Sequence, residues 1–131
     1  MSDDLMQLEL VAADRLVWSG EAKMVIARTT EGDVGILPNH APMLSLMVDG
    51  IVDVTTAEGE TWIAAVDAGF LSVAHNRISI LSEHAEMSHE IDLEKARADL
   101  ELAKTAGENE DDAEEAVRRA EARIRAAERA S

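Results

Sequence analysis

Cysteine is absent from this chain of 131 residues. Its absence excludes disulfides, thiolate metal sites and a cysteine nucleophile. Aromatics are almost missing as well. Trp18, Trp62 and Phe70 make up the 2%, so a core must be built from Val, Ile, Leu, Met and Ala. Positive charge is scarce: 12 Lys and Arg stand against 27 Asp and Glu, a net charge of −15. Nucleic acid and anionic lipid both bind through Lys and Arg, so neither is expected as a direct partner. No apolar run approaches the roughly 20 residues that span a bilayer. The opening Met1-Ser2-Asp3-Asp4 lacks the basic and apolar regions of a signal peptide, and the chain reads as soluble and cytosolic.

Proline and glycine are few and unevenly placed. Both prolines, six of the seven glycines and all aromatics fall in residues 1–90. Residues 91–131 hold one glycine in a dense mixture of Ala, Glu, Asp and Arg. The first part has the composition of strands and turns, the second that of helix. Short apolar runs recur up to Leu81, broken at Ser19-Gly20, Glu31-Gly32, Asp49-Gly50, Glu58-Gly59, Ala68-Gly69 and His75-Asn76. Asp49-Gly50 between two such runs predicts a β-hairpin. The pattern predicts a mainly β plus α chain: an antiparallel β-sandwich over residues 1–87, then an antiparallel two-helix hairpin over 88–131.

In the second part Asp92 is the expected N-cap, with Leu93, Ala96, Leu100 and Ala103 on one face and Gly107 as the stop. A second helix starts among Asn109, Asp111 and Asp112 and runs to about Ala130. Its apolar stripe is Ala113, Ala116, Val117, Ala120, Ile124 and Ala127. Alanine buries little area, so at about 25 cal/mol per Å² the hairpin is expected to be loosely held and mobile. Residues 108–115 carry six acids and no base, whereas 117–131 carry Arg118, Arg119, Arg123, Arg125 and Arg129. This order complements the helix dipole. It reads either as a solvated face or as an arginine-rich end meeting an acidic surface.

Catalytic machinery is not evident. Ser45, Ser72 and Ser79 lie inside apolar runs, not in a nucleophile elbow. No glycine-rich phosphate loop occurs. His40 lacks a recognisable partner, and Asp67-Ala68-Gly69 reads as a tight turn. Residues 83–90 hold His84, His89 and three Glu, but the five-residue spacing suits neither helix nor strand ligation. A polar linker is expected there, with no metal and no catalytic residues. The most unusual segment is Gly32-Asp33-Val34-Gly35-Ile36-Leu37-Pro38-Asn39-His40-Ala41-Pro42-Met43. Two glycines and two prolines shape it, while Ile36, Leu37 and Met43 are too apolar for a wholly solvated loop. It reads as a docking loop. A free-standing module for a basic protein, suggested by the net charge, is the alternative.

Glu31 to Pro42 resembles the signature of the epsilon subunit of F-type ATP synthase, the delta subunit in mitochondria. Leu8-Glu9-Leu10-Val11, Trp18-Ser19-Gly20, Asp67-Ala68-Gly69-Phe70-Leu71-Ser72-Val73 and Ile91-Asp92 extend the likeness over nearly the whole chain. The resemblance implies a ten-stranded sandwich with two helices. It implies a non-catalytic subunit on the gamma subunit of the central stalk, touching the c-ring at the cytoplasmic face of a bacterial membrane. It implies that the subunit couples rotation to the catalytic head and that its hairpin inhibits ATP hydrolysis. Asp33, Asn39 and His40 would then face the c-ring, with Gly32, Gly35, Pro38 and Pro42 shaping the loop. The five arginines of the second helix would meet the alpha and beta subunits. Members that bind ATP use an Ile/Leu-Asp-x-x-Arg-Ala motif with an upstream Glu. Glu86, Ile91, Asp92 and Ala96 match it here, but Lys95 replaces the Arg. A point charge in place of a planar fork is not equivalent, so no cofactor and no tightly held ATP are expected.

Overall fold

The computed structural model describes residues 4–105 and 110–130. Nine strands come first: β1 Met6–Ala12, β2 Leu16–Thr29, β3 Gly32–Ile36, β4 Met43–Met47, β5 Gly50–Thr56, β6 Thr61–Val66, β7 Gly69–Ala74, β8 Arg77–Ser82 and β9 Ala85–Met87. A single 3-10 turn, Ser88–Glu90, leads into α1 Leu93–Thr105 and α2 Glu110–Ala130. The resemblance implies ten strands; nine lie among the described residues.

The hydrogen-bonded path runs β1-β8-β7-β4-β2-β5-β6-β9, with β3 on β2. Because β2 also pairs with β1, the path folds back on itself and closes a sandwich. Every pairing is antiparallel except β1–β8, which is parallel. Alternation along the strands sends Met6, Leu8 and Leu10 of β1 inward to meet Val25, Ile36, Val52, Leu71, Ile78 and Ile80. The core is aliphatic, as the scarcity of aromatics requires; Trp18 and Trp62 pack only at its margin.

Three punctuation signals act differently from the sequence expectation. Ser19-Gly20 is no break: β2 passes straight through it, pairing Gly20 with Leu8. A Cβ on Gly20 would lie 2.8 Å from the Trp18 ring, so the glycine makes room for an indole and not for a turn. Asp49-Gly50 forms no hairpin, because β4 pairs with β7 while β5 pairs with β2 and β6. The Asp49 carboxylate instead accepts the Ala68 N–H at 2.7 Å, tying the crossing to the β6–β7 connection. The expected linker over 83–90 contains β9, whose Ala85 and Met87 are buried and which pairs with β6. By contrast, His75 and Asn76 both take positive φ, the conformation of a tight hairpin turn between β7 and β8.

Asp92 caps α1 through its Oδ1, which accepts the Lys95 N–H at 3.1 Å. Ala96 and Ala103 are buried on the α1 face the sequence predicts. Gly107 and Asn109, the expected stop and restart, lie outside the described residues. β6 is buried on both faces because α2 covers its outer side. Ile63 and Ala65 meet Ala122 and Ala126 there, with Ile51 and Ile91 alongside. Of these helix residues, Ala122 and Ala126 are absent from the predicted stripe. α2 presents one face to α1 and another to the sandwich, and the arginines interrupt the second.

Candidate docking site and ionic seam

The first candidate surface is the signature segment. Gly32–Ile36 is strand β3 and not loop; the irregular stretch is only 37–42. Gly32 has φ 111°, which only glycine adopts without strain, and it turns the chain from β2 into β3. Gly35 sits in ordinary strand pairing opposite Ile26, and its conformation requires no glycine. Asp33 lies across from Arg28 on β2, and the guanidinium donates to both carboxylate oxygens at 2.9 and 3.3 Å. That hydrogen bonding holds the Asp33 carboxyl below its ordinary range, with the charge of Arg125 on α2 adding to it. His40 lies beyond the far end of β3, so the strand separates it from Asp33. The His40 N–H closes a turn onto the Leu37 carbonyl at 3.2 Å. Asn39, with φ 70°, braces this turn: its N–H donates to Asn76 Oδ1 at 2.6 Å and its amide donates to Asp4 at 2.8 Å. Leu37 is exposed, Pro42 is exposed and Pro38 half-buried.

β4 begins directly after Pro42 and opens a second surface that sequence patterning does not single out. Leu46, Phe70 and Leu81 stand opposite one another on β4, β7 and β8 and are 54%, 51% and 51% exposed. Leu44 in the next row is 74% exposed. An apolar row across three neighbouring strands is a docking feature, whereas single exposed leucines are not. Its only sequence signal is the run Met43-Leu44-Ser45-Leu46-Met47, which lacks polar alternation.

The third feature is the seam under α2. Asp49 and Asp67, each 7% exposed, sit side by side at the β6 end of the sandwich. Arg119 Nε lies 3.4 Å from Asp67 and 3.9 Å from Asp49, Arg118 lies 3.8 Å from Asp49, and Arg123 lies 3.5 Å from Asp67. Arg123 also donates to Glu86 at 2.7 Å, and Arg129 donates to Asp53 at 2.7 Å. Arg125 lines a hollow of about 420 Å³ with Arg28, Asp33, Asp53 and Arg129. The acidic surface that meets these arginines is therefore the chain's own. Burial pushes the Asp67 carboxyl up, despite Arg123 and Arg119. Burial also acts on Glu86, but hydrogen bonds from Arg123 and His84 outweigh it and hold that carboxyl low. The lowered Glu86 contributes stability that is lost as pH falls through its folded value. The raised Asp67 gains stability on the same descent. The two oppose one another across the seam.

Glu86, Ile91, Asp92 and Lys95 come together around a hollow of about 570 Å³ between the 3-10 turn, α1 and α2. Its cations are already engaged: Lys95 with Asp99 at 3.1 Å, Arg123 with Glu86 at 2.7 Å and Arg119 with Glu115 at 2.7 Å. Glu90, which Arg15 pairs at 3.0 and 3.2 Å, and Asp92 complete the charged lining. The two histidines diverge: His84 bonds Glu86 at 3.2 Å, while His89 meets the edge of Trp62 at a centroid distance of 5.9 Å. No three His, Asp or Glu converge in metal-binding geometry among the described residues.

The family described as "ATP synthase, Delta/Epsilon chain, beta-sandwich domain" matches residues 5–88, which is all nine strands. The chain belongs to the delta/epsilon family of ATP synthase. An "ATP synthase epsilon chain" of Streptomyces avermitilis is 50% identical over 121 residues, covering 92% of this chain and 94% of that one. The epsilon chain of Rhodococcus jostii is 48% identical over 126 residues, covering 95% and 98%. Both alignments span far more than the sandwich, so the likeness includes the hairpin. Among solved structures, a chain of the Euglena gracilis mitochondrial ATP synthase, described as OSCP/F1/c-ring, is 25% identical with a TM-score of 0.81 over 94% of this chain and 81% of that one. A Tetrahymena thermophila chain at 15% identity and a TM-score of 0.61 shares the fold. No described helix is long and apolar enough to cross a membrane.

Proposed function

We propose that this delta/epsilon-family chain is a non-catalytic subunit of the central stalk of a rotary ATP synthase. It is held at the cytoplasmic face of a bacterial membrane through the complex alone. The exposed Leu46–Phe70–Leu81 row carries the reading, because it supplies the apolar docking face that a stalk subunit needs. The gamma subunit occupies that row. Asp33 at the start of β3 and Asn39 and His40 beyond its other end face the c-ring along this edge of the sandwich, with Gly32, Pro38 and Pro42 shaping the chain path. The sandwich over 1–87 docks; the hairpin over 88–131 regulates, meeting the alpha and beta subunits through Arg118, Arg119, Arg123, Arg125 and Arg129 and inhibiting ATP hydrolysis. Gly35 contributes strand pairing in β3, between Asp33 and Asn39.

Photo-crosslinking in the assembled complex tests the assignments. A photoreactive residue at Phe70 captures gamma, and one at His40 captures the c subunit. Capture of neither from an intact complex would contradict the arrangement.

ATP is not a tightly held ligand of this chain, because the hollow beside Lys95 presents cations already paired with carboxylates to a triphosphate. Addition of about 1 mM ATP is expected to shift the melting temperature by less than about 1 °C. A shift of several degrees would show that the ion pairs rearrange around nucleotide.

A further inference from the structure

The stretch 37–42 has little of its own to hold its shape. Pro38 and Pro42 have no N–H to donate, and one backbone bond closes the turn, from the His40 N–H to the Leu37 carbonyl at 3.2 Å. Asn39 stands in the left-handed region at φ 70°, a conformation that persists where the surroundings support it. The support comes from the turn between β7 and β8. Asn76 Oδ1 accepts the Asn39 N–H at 2.6 Å, and the Asn76 amide donates back to Asn39 Oδ1 at 3.3 Å. Asn76 is itself anchored, because its carbonyl accepts the Gln7 N–H at 2.8 Å. A turn fixed to the start of β1 thus grips a weakly bonded loop 37 positions away. The grip reaches His40, the next residue. Its ring Nδ1 lies 2.7 Å from the Ala41 carbonyl. A carbonyl only accepts, so Nδ1 carries the proton, and Nε2 of the neutral ring is left as an acceptor. No other described residue bonds that ring.

We propose that Asn76 is a positioning residue for the c-ring contact, holding the 37–42 turn in the shape that offers His40 Nε2 to a hydrogen-bond donor of the c subunit. Asn76 acts through Asn39 and needs no contact with the c-ring itself. This deepens the assignment of His40 to the c-ring, on which it rests, by naming a residue of a distant turn that sets how the histidine is presented.

Two substitutions separate the brace from the turn that carries it. Asn76→Gly keeps the left-handed conformation, φ 58°, and deletes the side chain. Asn76→Asp keeps both the conformation and the acceptor. In the full chain, amide hydrogen exchange at Asn39 is expected to quicken at least about tenfold in Asn76→Gly and to stay near the original rate in Asn76→Asp. In the assembled complex, a photoreactive residue at Ala41, exposed and beside His40, captures the c subunit. Protons pumped per ATP hydrolysed fall at least about threefold with Asn76→Gly, and Asn76→Asp restores them. His40→Phe lowers the same ratio, and Asn76→Gly added to it lowers it no further, as two residues acting through one contact require. A purely structural loss would add to the effect of His40→Phe. Unchanged exchange at Asn39, or full pumping by Asn76→Gly while Ala41 still captures the c subunit, would overturn the brace and leave the c-ring contact standing. No capture from Ala41 in the otherwise unsubstituted complex would remove the contact, and the role of Asn76 with it.

Discussion

Leu46→Asp combined with Phe70→Asp weakens binding to the gamma subunit at least about 100-fold, while the chain itself still unfolds cooperatively near its original midpoint. Hot-spot side chains at the centre of an interface cost about 2 kcal/mol or more each on truncation, and an uncompensated carboxylate in that position adds a desolvation penalty. Two such changes exceed the roughly 2.7 kcal/mol that corresponds to 100-fold. In the free chain both side chains are more than half exposed, so the fold loses at most about 1 kcal/mol to the like charges placed opposite one another on β4 and β7. Titration of labelled gamma against the two chains measures the difference. Equal affinity would place the interface elsewhere on the sandwich.

Gly69→Ala is expected to be the most damaging single-methyl change in the sandwich. A Cβ there would stand 1.9 Å from the Leu81 carbonyl oxygen and 2.9 Å from its carbon, so backbone and not a flexible side chain blocks it. β7 and β8 pair from Gly69↔Ser82 to Ala74↔Arg77, and the ladder must open at that end to admit the methyl. A loss of about 3 kcal/mol follows from overpacking of this kind, a large part of the 5–15 kcal/mol typical of a domain. Gly50→Ala is the control. Its Cβ would lie 3.4 Å from Arg28 Cβ, an ordinary van der Waals separation, and the expected loss is below about 1 kcal/mol. Urea unfolding of the two variants separates the cases; equal midpoints would show that β7 and β8 shift apart freely.

Local chemistry made most of the fold legible. The apolar runs, the His75-Asn76 turn and the Asp92 cap all depend on residues near one another in sequence, and each appears where the pattern places it. Ser19-Gly20 and Asp49-Gly50 misled because the signals are ambiguous. Glycine serves a turn, but also the close approach of a ring or a crossing between layers, and only the distant partners Leu8 and Ala68 decide. The ionic seam was illegible for the same reason. Arg123 meets Glu86 across 37 positions and Arg129 meets Asp53 across 76, in a chain with 27 acids to choose from. Of the α2 stripe expected from alanine periodicity, Ala120 is buried and Ala116 is exposed. The face on the sandwich was not legible, because arginines alternate there with Ala122 and Ala126. The exposed row of Leu46, Phe70 and Leu81 needed strand register, which a single sequence does not contain.

The stalk assignment stands or falls on assembly. Affinity purification of the tagged full chain from detergent-solubilised membranes of its own cells, with the co-purifying subunits quantified by mass spectrometry, tests it most directly. One copy of the chain per gamma subunit is expected, together with the catalytic subunits and the c-ring, and all of these are lost with Leu46→Asp and Phe70→Asp. Recovery of the chain alone, or equally from membranes with both substitutions, would contradict it.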